Sequence, residues 1–192
     1  MTGVRVNEGT ALYWNDVDFE RKQLRVHNML LLKSRDNFAR INHTKTASGK
    51  RVIALDDDTI NILKRWQKRQ ADHAYSNFIF SYDGKPMIKS TIGRIVTRYA
   101  KAANVTMIQT KGLRHSHVSF LINELNASVL VVSKRLGHSS PDITLKYYAH
   151  LWHGIDSGIA DKMAGTVKVE TATSKQFLFN GNQNLSPKLS PK

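Results

Sequence analysis

The sequence predicts an α+β fold, mostly α, with a small three-stranded antiparallel sheet. Segments of alternating polarity cluster before residue 56, whereas apolar residues recur at helical spacing through most of the chain after that position. A length of 192 residues, of which 41% are hydrophobic, suits one folded domain with its own core.

The first half is predicted to contain the sheet. A helical pattern at Val4–Leu12 comes first, and short candidate strands lie around residues 24–28, 39–46 and 51–55. Ser48-Gly49 is a turn signal, so the second and third strands are expected to form a β-hairpin. Three aspartates, Asp56–Asp58, can then cap a helix whose apolar face includes Trp66, and both Trp66 and Trp14 are predicted to lie in the core.

The second half is predicted to be helical. Ser90 can cap one helix, and another begins near Lys111. A further helix covers 129–136, between the cap residue Ser128 and Gly137, and the next covers 142–151. Residues 155–164 can form a short helix, after which the chain becomes polar. We therefore expect a folded domain at 1–164 and a flexible or partner-docking tail at 165–192.

The charge of the chain indicates a polyanionic partner. Lys and Arg total 29 against 15 Asp and Glu, which gives a net charge of +14 and a pI near 10.1. A field of this sign attracts nucleic acid. The chain has no cysteine, which excludes disulfides and thiolate metal sites. It also has no apolar run near the roughly 20 residues of a membrane span, and its first residues lack the long apolar stretch that is typical of a signal peptide.

If the polyanionic partner is DNA and its phosphodiester is cleaved, the reaction needs three kinds of chemical group. An arginine fork can stabilise charge on the non-bridging oxygens, because it stays charged and bonds two oxygens at once. A lysine near the reaction centre can give a proton to the leaving oxygen. A tyrosine can attack the phosphorus and form a covalent phosphoenzyme.

The chain contains each of these residue types in a distinctive setting. In order, the motifs are Thr2-Gly3-Val4-Arg5, Thr44-Lys45-Thr46, Lys111-Gly112-Leu113-Arg114-His115, Leu136-Gly137-His138-Ser139 and Thr144-Leu145-Lys146-Tyr147-Tyr148-Ala149-His150. In this order and at these spacings they resemble the catalytic domain of the tyrosine site-specific recombinase (phage integrase) family. The resemblance runs from Arg5 to Tyr148 and implies an integrase-like fold.

The resemblance implies a role for each matching residue. Arg5 and Arg114 would clamp the scissile phosphate, and His138 would hydrogen-bond a non-bridging oxygen. Tyr148 would attack phosphorus to give a 3′-phosphotyrosyl link, while Lys45 would protonate the departing 5′-oxygen. Because that link conserves bond energy, neither ATP nor a metal nor another cofactor is implied.

One position departs from the family pattern. Lys111 stands where the family has the histidine of its His-x-x-Arg motif, although lysine occurs at this place among relatives. The substitution leaves open which group accepts the proton of Tyr148. As a cation near phosphate, Lys111 needs no shifted pKa, and this is the role predicted for it.

Neighbouring residues offer alternatives for several of these roles. Tyr147 and Tyr148 lie about 100° apart on a helix, so one of them faces the arginines, and the Tyr-x-His pattern selects Tyr148. Tyr147 is expected to pack against the domain. His115 and His117 point to different helix faces, which disfavours a shared metal, and His115 is expected to be a packed histidine with a local hydrogen bond.

Two further choices concern charged residues. Glu8 lies three residues after Arg5 and is predicted to orient that arginine rather than to react. The Thr-Lys-Thr setting selects Lys45 over Lys50 as the lysine of the hairpin.

The resemblance also implies the partners. Duplex DNA would be the substrate, bound by a homotetramer in which residues 153–192 pack onto a neighbouring subunit, with no membrane and no small-molecule substrate. We expect an N-terminally truncated chain acting in the bacterial cytoplasm on the nucleoid. Two alternatives are a non-catalytic DNA-binding module of the same fold and a type IB topoisomerase.

Overall fold

The described part of the chain contains two small antiparallel sheets and several helices. The computed structural model describes residues 2–34, 36–42, 44, 46–73, 75–152 and 161–164. The strands are β1 (Val17–Asp18), β2 (Gln23–Val26), β3 (Met29–Leu32), β4 (Phe38–Ile41) and β5 (Arg51–Ala54). The α-helices are α1 (Val6–Gly9), α2 (Asp57–Ala71), α3 (Lys89–Ala102), α4 (Thr110–Asn123), α5 (Val129–Leu136) and α6 (Pro141–Tyr148). The predicted fold class, mostly α with a small sheet, is confirmed.

The larger sheet has three strands in the order β1-β2-β5, all antiparallel. Leu24 on the central strand lies opposite Val17 on one side and Ile53 on the other. All three side chains are buried, and they point to the same face because directly paired residues on neighbouring strands share a face. This face forms one wall of the first hydrophobic core.

The predicted hairpin between residues 39–46 and 51–55 is wrong. β4 pairs with β3, a strand that the sequence did not predict, and β5 pairs with β2 instead. Residues Ala47–Gly49 form a 3₁₀ turn that lies between the two sheets along the chain. The reason is tertiary: Arg40 on β4 donates to a carboxylate oxygen of Asp16 at 2.6 Å. Phe38 at the start of β4 also packs edge-to-face on Phe78. The alternation of apolar and polar residues along a strand carries no information about such distant partners.

Helix α2 covers the larger sheet and completes the first core. Asp56 caps it by accepting a hydrogen bond from the amide of Thr59, as predicted. Trp66 packs against the core and donates its indole N–H to the carbonyl of Ile79 at 2.6 Å. Trp14 also packs there, so both predicted tryptophans contact the core, and each is partly buried.

The second core lies among α4, α5 and α6. Its buried side chains are Val118, Leu121, Ile122, Val132, Leu136 and Tyr148, and Trp152 packs against them. No helix among the described residues has the length and apolar character needed to cross a membrane.

Several predicted helix boundaries differ from the structure. The first helix covers only Val6–Gly9, and α3 begins before Ser90, which therefore is not its cap. α6 ends at Tyr148, and a 3₁₀ turn at Ala149–Trp152 replaces the last predicted turn. Most of the predicted helix at 155–164, and the whole predicted tail at 165–192, lie outside the described residues.

The cap of α5 positions part of the site. Ser128 accepts a hydrogen bond from the amide of Val131, and Gly137 ends the helix in the left-handed conformation with φ +68°, both as predicted. A Cβ atom on Gly137 would lie 2.9 Å from the carbonyl oxygen of Ser48. Only glycine therefore fits this turn without strain, and the turn delivers His138 directly after it.

We expect Gly137→Ala and Gly93→Ala to change stability in opposite directions. Alanine at 137 would be forced into positive φ and against a backbone oxygen, which should lower the free energy of unfolding by about 2 kcal/mol or more. Gly93 lies inside α3 with open space around it, so alanine there should raise the free energy of unfolding by up to about 1 kcal/mol. Urea unfolding measures both, and a stabilised Gly137→Ala variant would contradict this account of the turn.

Candidate active site

A pocket of about 570 Å³ collects most of the candidate residues. It lies among the segment before α1, the start of α4, the turn after α5, and α6. The candidates that line it are Arg5, Lys111, Arg114, His138 and Tyr148. The described residues that line it include no Asp or Glu. Lys45 lies outside the described residues, but the adjacent Thr46 lines the same pocket.

Arg114 is fixed by two backbone carbonyls from distant segments. Its guanidinium donates to the carbonyl of Gly3 at 2.5 Å and to that of Leu136 at 2.8 Å. Burial, reinforced by the nearby charge of Arg5, lowers the pKa of Arg114 to about 10. The group therefore stays charged at neutral pH, and its orientation is set before any ligand arrives.

The backbone conformation and close packing at position 3 explain why the first motif contains a glycine there. Its φ is +64°, and a Cβ atom there would lie 2.5 Å from Cδ2 of the buried His117 ring. The missing side chain lets the backbone approach α4 closely enough for its carbonyl to reach Arg114.

Arg5 is held by Glu8, as predicted. The Glu8 carboxylate accepts from the Arg5 guanidinium at 2.8 Å and from the Arg5 backbone amide at 3.0 Å. Glu8 is only 3% exposed, and its second partner is Arg51, whose Nη2 donates at 2.9 Å. Burial alone would raise the pKa of Glu8, but the hydrogen bonds and charge of Arg51, with the hydrogen bonds of Arg5, lower it. Sequence reasoning missed Arg51, because an arginine in a strand carries no signal of a partner 43 residues away.

His138 lies between Arg114 and the buried Thr144. Its Nε2 is 3.3 Å from Nη2 of Arg114, and its Nδ1 is 2.8 Å from Oγ1 of Thr144. A guanidinium only donates, so in this contact Nε2 accepts and Nδ1 carries the proton. Burial, with the charges of Arg114 and Arg5, lowers the pKa of His138 to about 4. The imidazole is therefore neutral at pH 7.

The two adjacent tyrosines differ sharply in exposure. Tyr148 is 6% exposed, whereas Tyr147 is 60% exposed. Thr144 and Tyr148 lie one helical turn apart on the buried face of α6, which brings the Tyr148 hydroxyl into the pocket. Burial raises the pKa of Tyr148, although Arg114 partly offsets this. The expectation that Tyr147 packs against the domain is wrong, because its ring lies at the surface beside Tyr148.

His115 is the residue whose position differs most from expectation. Its Nδ1 lies 2.5 Å from Oη of Tyr148, a contact that spans 33 residues. The prediction of a packed histidine with a local bond is therefore wrong, since the side chain is exposed and reaches another helix. Its position four residues after Lys111, on the same face of α4, was the signal that could have found it.

The neighbouring His117 has a different environment. It is buried, and its Nε2 accepts from Nε of Arg135 at 3.2 Å. Burial, with the charge of Arg135, lowers its pKa to about 4. Within the described ranges, no group of three or more His, Asp or Glu side chains is placed to hold a metal ion.

The site thus places a phenol beside a set of cationic groups that can bind an anion. Two oriented guanidinium groups, a neutral imidazole and the ammonium of Lys111 border one pocket with the hydroxyl of Tyr148. The guanidinium and ammonium donors match the oxygens of a phosphodiester, and the hydroxyl is a potential nucleophile towards it.

Several known proteins are similar to this chain in sequence and in fold. The integrase of Staphylococcus phage L54a is 31% identical over 173 residues, covering 85% of this chain and 49% of that protein. The ICEBs1 integrase of Bacillus subtilis (strain 168) is 28% identical over 171 residues, covering 85% of this chain and 46% of that protein. A solved structure of the Tn1549 transposon integrase in complex with a circular intermediate DNA matches with a TM-score of 0.70 and 25% identity, over 85% of this chain and 55% of that one.

This chain spans about half the length of the curated relatives it matches. The resemblance drawn from the motifs is nevertheless confirmed across the whole region that carries them. Because the model of the phage integrase family matches residues 1–153, the chain belongs to that family.

Proposed function

We propose that this chain is the DNA-cleaving part of a site-specific recombinase, an integrase that cuts and rejoins DNA through a 3′-phosphotyrosyl intermediate. The observation that carries the proposal is the pocket that Tyr148 shares with Arg5, Arg114 and His138. The names of the relatives, integrases of a phage and of mobile elements, support the same chemistry. They do not favour a non-catalytic DNA-binding module or a type IB topoisomerase.

The proposed roles are based on the geometry of the donors. Arg5 and Arg114 bind the non-bridging oxygens of the scissile phosphate, where negative charge grows as Tyr148 attacks. Both guanidinium groups are oriented in advance by Glu8 and by backbone carbonyls, so little reorganisation is needed. Loss of one such donor typically lowers the rate by about 10²–10³-fold.

Two lysines complete the proposed machinery. Lys45 protonates the 5′-oxygen as it leaves, a role that rests on the resemblance and on its neighbour Thr46 at the rim of the pocket. Lys111 lies on the pocket wall one helical turn before Arg114 and adds positive charge near the phosphate.

Duplex DNA is the proposed substrate, bound in the bacterial cytoplasm on the nucleoid. A net charge of +14 favours contact with phosphates, and such binding weakens as salt increases. On DNA we propose a homotetramer in which the segment 153–192 packs onto a neighbouring subunit. Exposed apolar side chains that such a segment could cover are Leu125, Leu130, Val131 and Leu145.

Replacement of each adjacent tyrosine by phenylalanine tests the nucleophile. The substrate is a pool of nicked duplexes with randomised sequence, in which cleavage releases a short fragment and traps the covalent adduct. Tyr148→Phe should give no adduct, because it lacks the attacking oxygen, whereas Tyr147→Phe should match the wild type. Denaturing electrophoresis detects the adduct, and mass spectrometry of the linked peptide locates it.

Two results would count against this assignment. An adduct that persists in Tyr148→Phe would place the nucleophile elsewhere. No adduct from the wild-type chain with any member of the pool, despite salt-sensitive DNA binding, would favour the non-catalytic module.

Bound phosphate should raise the pKa of His138. In the free chain that pKa is about 4 because of burial and two nearby arginines, so the ring should not titrate between pH 5 and 7.5. A phosphodiester against Arg114 adds negative charge that favours the imidazolium form, so binding should take up a proton and strengthen as the pH falls. Histidine NMR of the chain with and without a short duplex measures this. The pKa of the buried His117, which does not line the pocket, is the internal control. Identical titration of His138 in both samples would exclude direct contact with phosphate.

The proposed tetramer can be tested by shortening the chain. The full chain and a chain ending at Trp152, which lacks the whole proposed docking segment, are each mixed with a duplex that carries two copies of a sequence cleaved in the nicked pool. Sedimentation gives the mass of each complex. We expect tetramers from the full chain and smaller complexes from the shortened chain. Equal masses would show that 153–192 does not hold the subunits together.

A further inference from the structure

We infer that His115 is a catalytic residue: its Nδ1 accepts the proton of Tyr148 during cleavage and returns it during rejoining. The inference rests on the proposed function, because it concerns the same reaction. It supplies the proton acceptor that the replacement of the family histidine by Lys111 leaves unassigned.

The contact between the two side chains has the geometry of proton transfer. Nδ1 and Oη are 2.5 Å apart, and the ring centroids are 5.6 Å apart with the planes tilted by 50°. Effective transfer needs a base within hydrogen-bond reach of the proton it abstracts, which this pair satisfies before substrate binds. His115 directly follows Arg114, whose two carbonyl bonds fix this end of α4, so the imidazole is carried on an anchored backbone.

Among the other described groups around the pocket, none both contacts Oη of Tyr148 and has an acceptor atom that is free to take its proton. His138 uses Nδ1 on Thr144 and Nε2 on Arg114. Arginine and ammonium groups offer donors alone, which excludes Arg5, Arg114 and Lys111 in their charged forms. The described residues that line the pocket include no carboxylate, and Tyr147 beside Tyr148 is itself a phenol.

The environment of Tyr148 makes such an acceptor necessary. Burial raises the pKa of its phenol above the usual value, so the hydroxyl is protonated at neutral pH and is a weak nucleophile. The imidazole of His115, in contrast, is exposed. Water can therefore take up the proton that His115 received in cleavage and supply one again before rejoining.

The proposed step balances in both directions. In cleavage, the oxygen of Tyr148 bonds to phosphorus as its proton moves to Nδ1 of His115, whose neutral form carries its own proton on Nε2. The bond from phosphorus to the 5′-oxygen breaks with its electron pair on oxygen, which takes a proton from Lys45. In rejoining, His115 protonates the departing phenol, and the incoming 5′-hydroxyl gives its proton back to Lys45.

The test compares single-turnover cleavage of a nicked duplex by variants of the full chain. His115→Ala and His115→Gln should both cleave about 10²–10⁴-fold more slowly, because glutamine can bond to the phenol but cannot take its proton. Imidazole added to His115→Ala should restore cleavage, with larger rescue by more basic imidazoles. His73→Ala, at an exposed histidine after α2, should cleave at the wild-type rate with or without imidazole.

A second substrate distinguishes the role of His115 as base from that of Lys45 as acid. In a duplex with sulfur in place of the scissile 5′-oxygen, the leaving thiolate needs no proton. Lys45→Ala should therefore regain cleavage on this substrate, whereas His115→Ala should remain slow. Recovery of both variants would assign His115 to the leaving-group side and overturn the inference.

The outcomes distinguish this inference from the function on which it rests. If wild type forms the adduct through Tyr148 but His115→Ala cleaves equally fast, the proposed function stands and the base lies elsewhere. If His115→Ala is slow but imidazole of any basicity fails to rescue it, the role of His115 is structural and the inference fails. If wild type forms no adduct at all, the proposed function fails.

Discussion

The hydrogen bonds of Arg114 are the interaction on which the candidate site depends. Its guanidinium joins the carbonyl of Gly3, 111 residues away, to that of Leu136, 22 residues away. The second carbonyl belongs to the last turn of α5, where a helix has no further amide to satisfy it. One side chain therefore aligns the segment that leads to Arg5 with the turn that carries His138. Loss of that donor would leave carbonyls short of a partner, at a cost of about 1–3 kcal/mol each if buried.

The site also concentrates positive charge where it is partly buried. Glu8 is shared by Arg5 and Arg51, so one carboxylate balances two guanidinium groups. The pKa values of Arg114 and His138 are both lowered, first by burial and then by the neighbouring cations. An entering anion would relieve this repulsion for every one of these groups. This arrangement supports the proposal that the pocket binds a phosphate.

The sequence predicted those features that depend on interactions between residues close together along the chain. The cap of α5 by Ser128 and Gly137, and the pairing of Glu8 with Arg5, depend on residues within a turn or two of each other. The motifs also named five residues that the structure brings to one pocket. The pairing of β3 with β4, and the contacts of Arg51 and His115, depend on partners set by the tertiary fold. Neither hydrophobic periodicity nor turn chemistry contains that information.

The position of His115 gives a physical reason why Lys111 can replace the family histidine. The two lie four residues apart on one face of α4, so both border the same pocket. A single histidine that served both groups would have to donate to the phosphate through one ring nitrogen and accept the proton of the phenol through the other. In the roles that we propose, two side chains divide these tasks: the ammonium of Lys111 supplies charge towards the phosphate, while the imidazole of His115 contacts the hydroxyl of Tyr148. If His115 is the base, as we propose, the lysine adds charge without removing the base, because His115 lies one turn further along the helix.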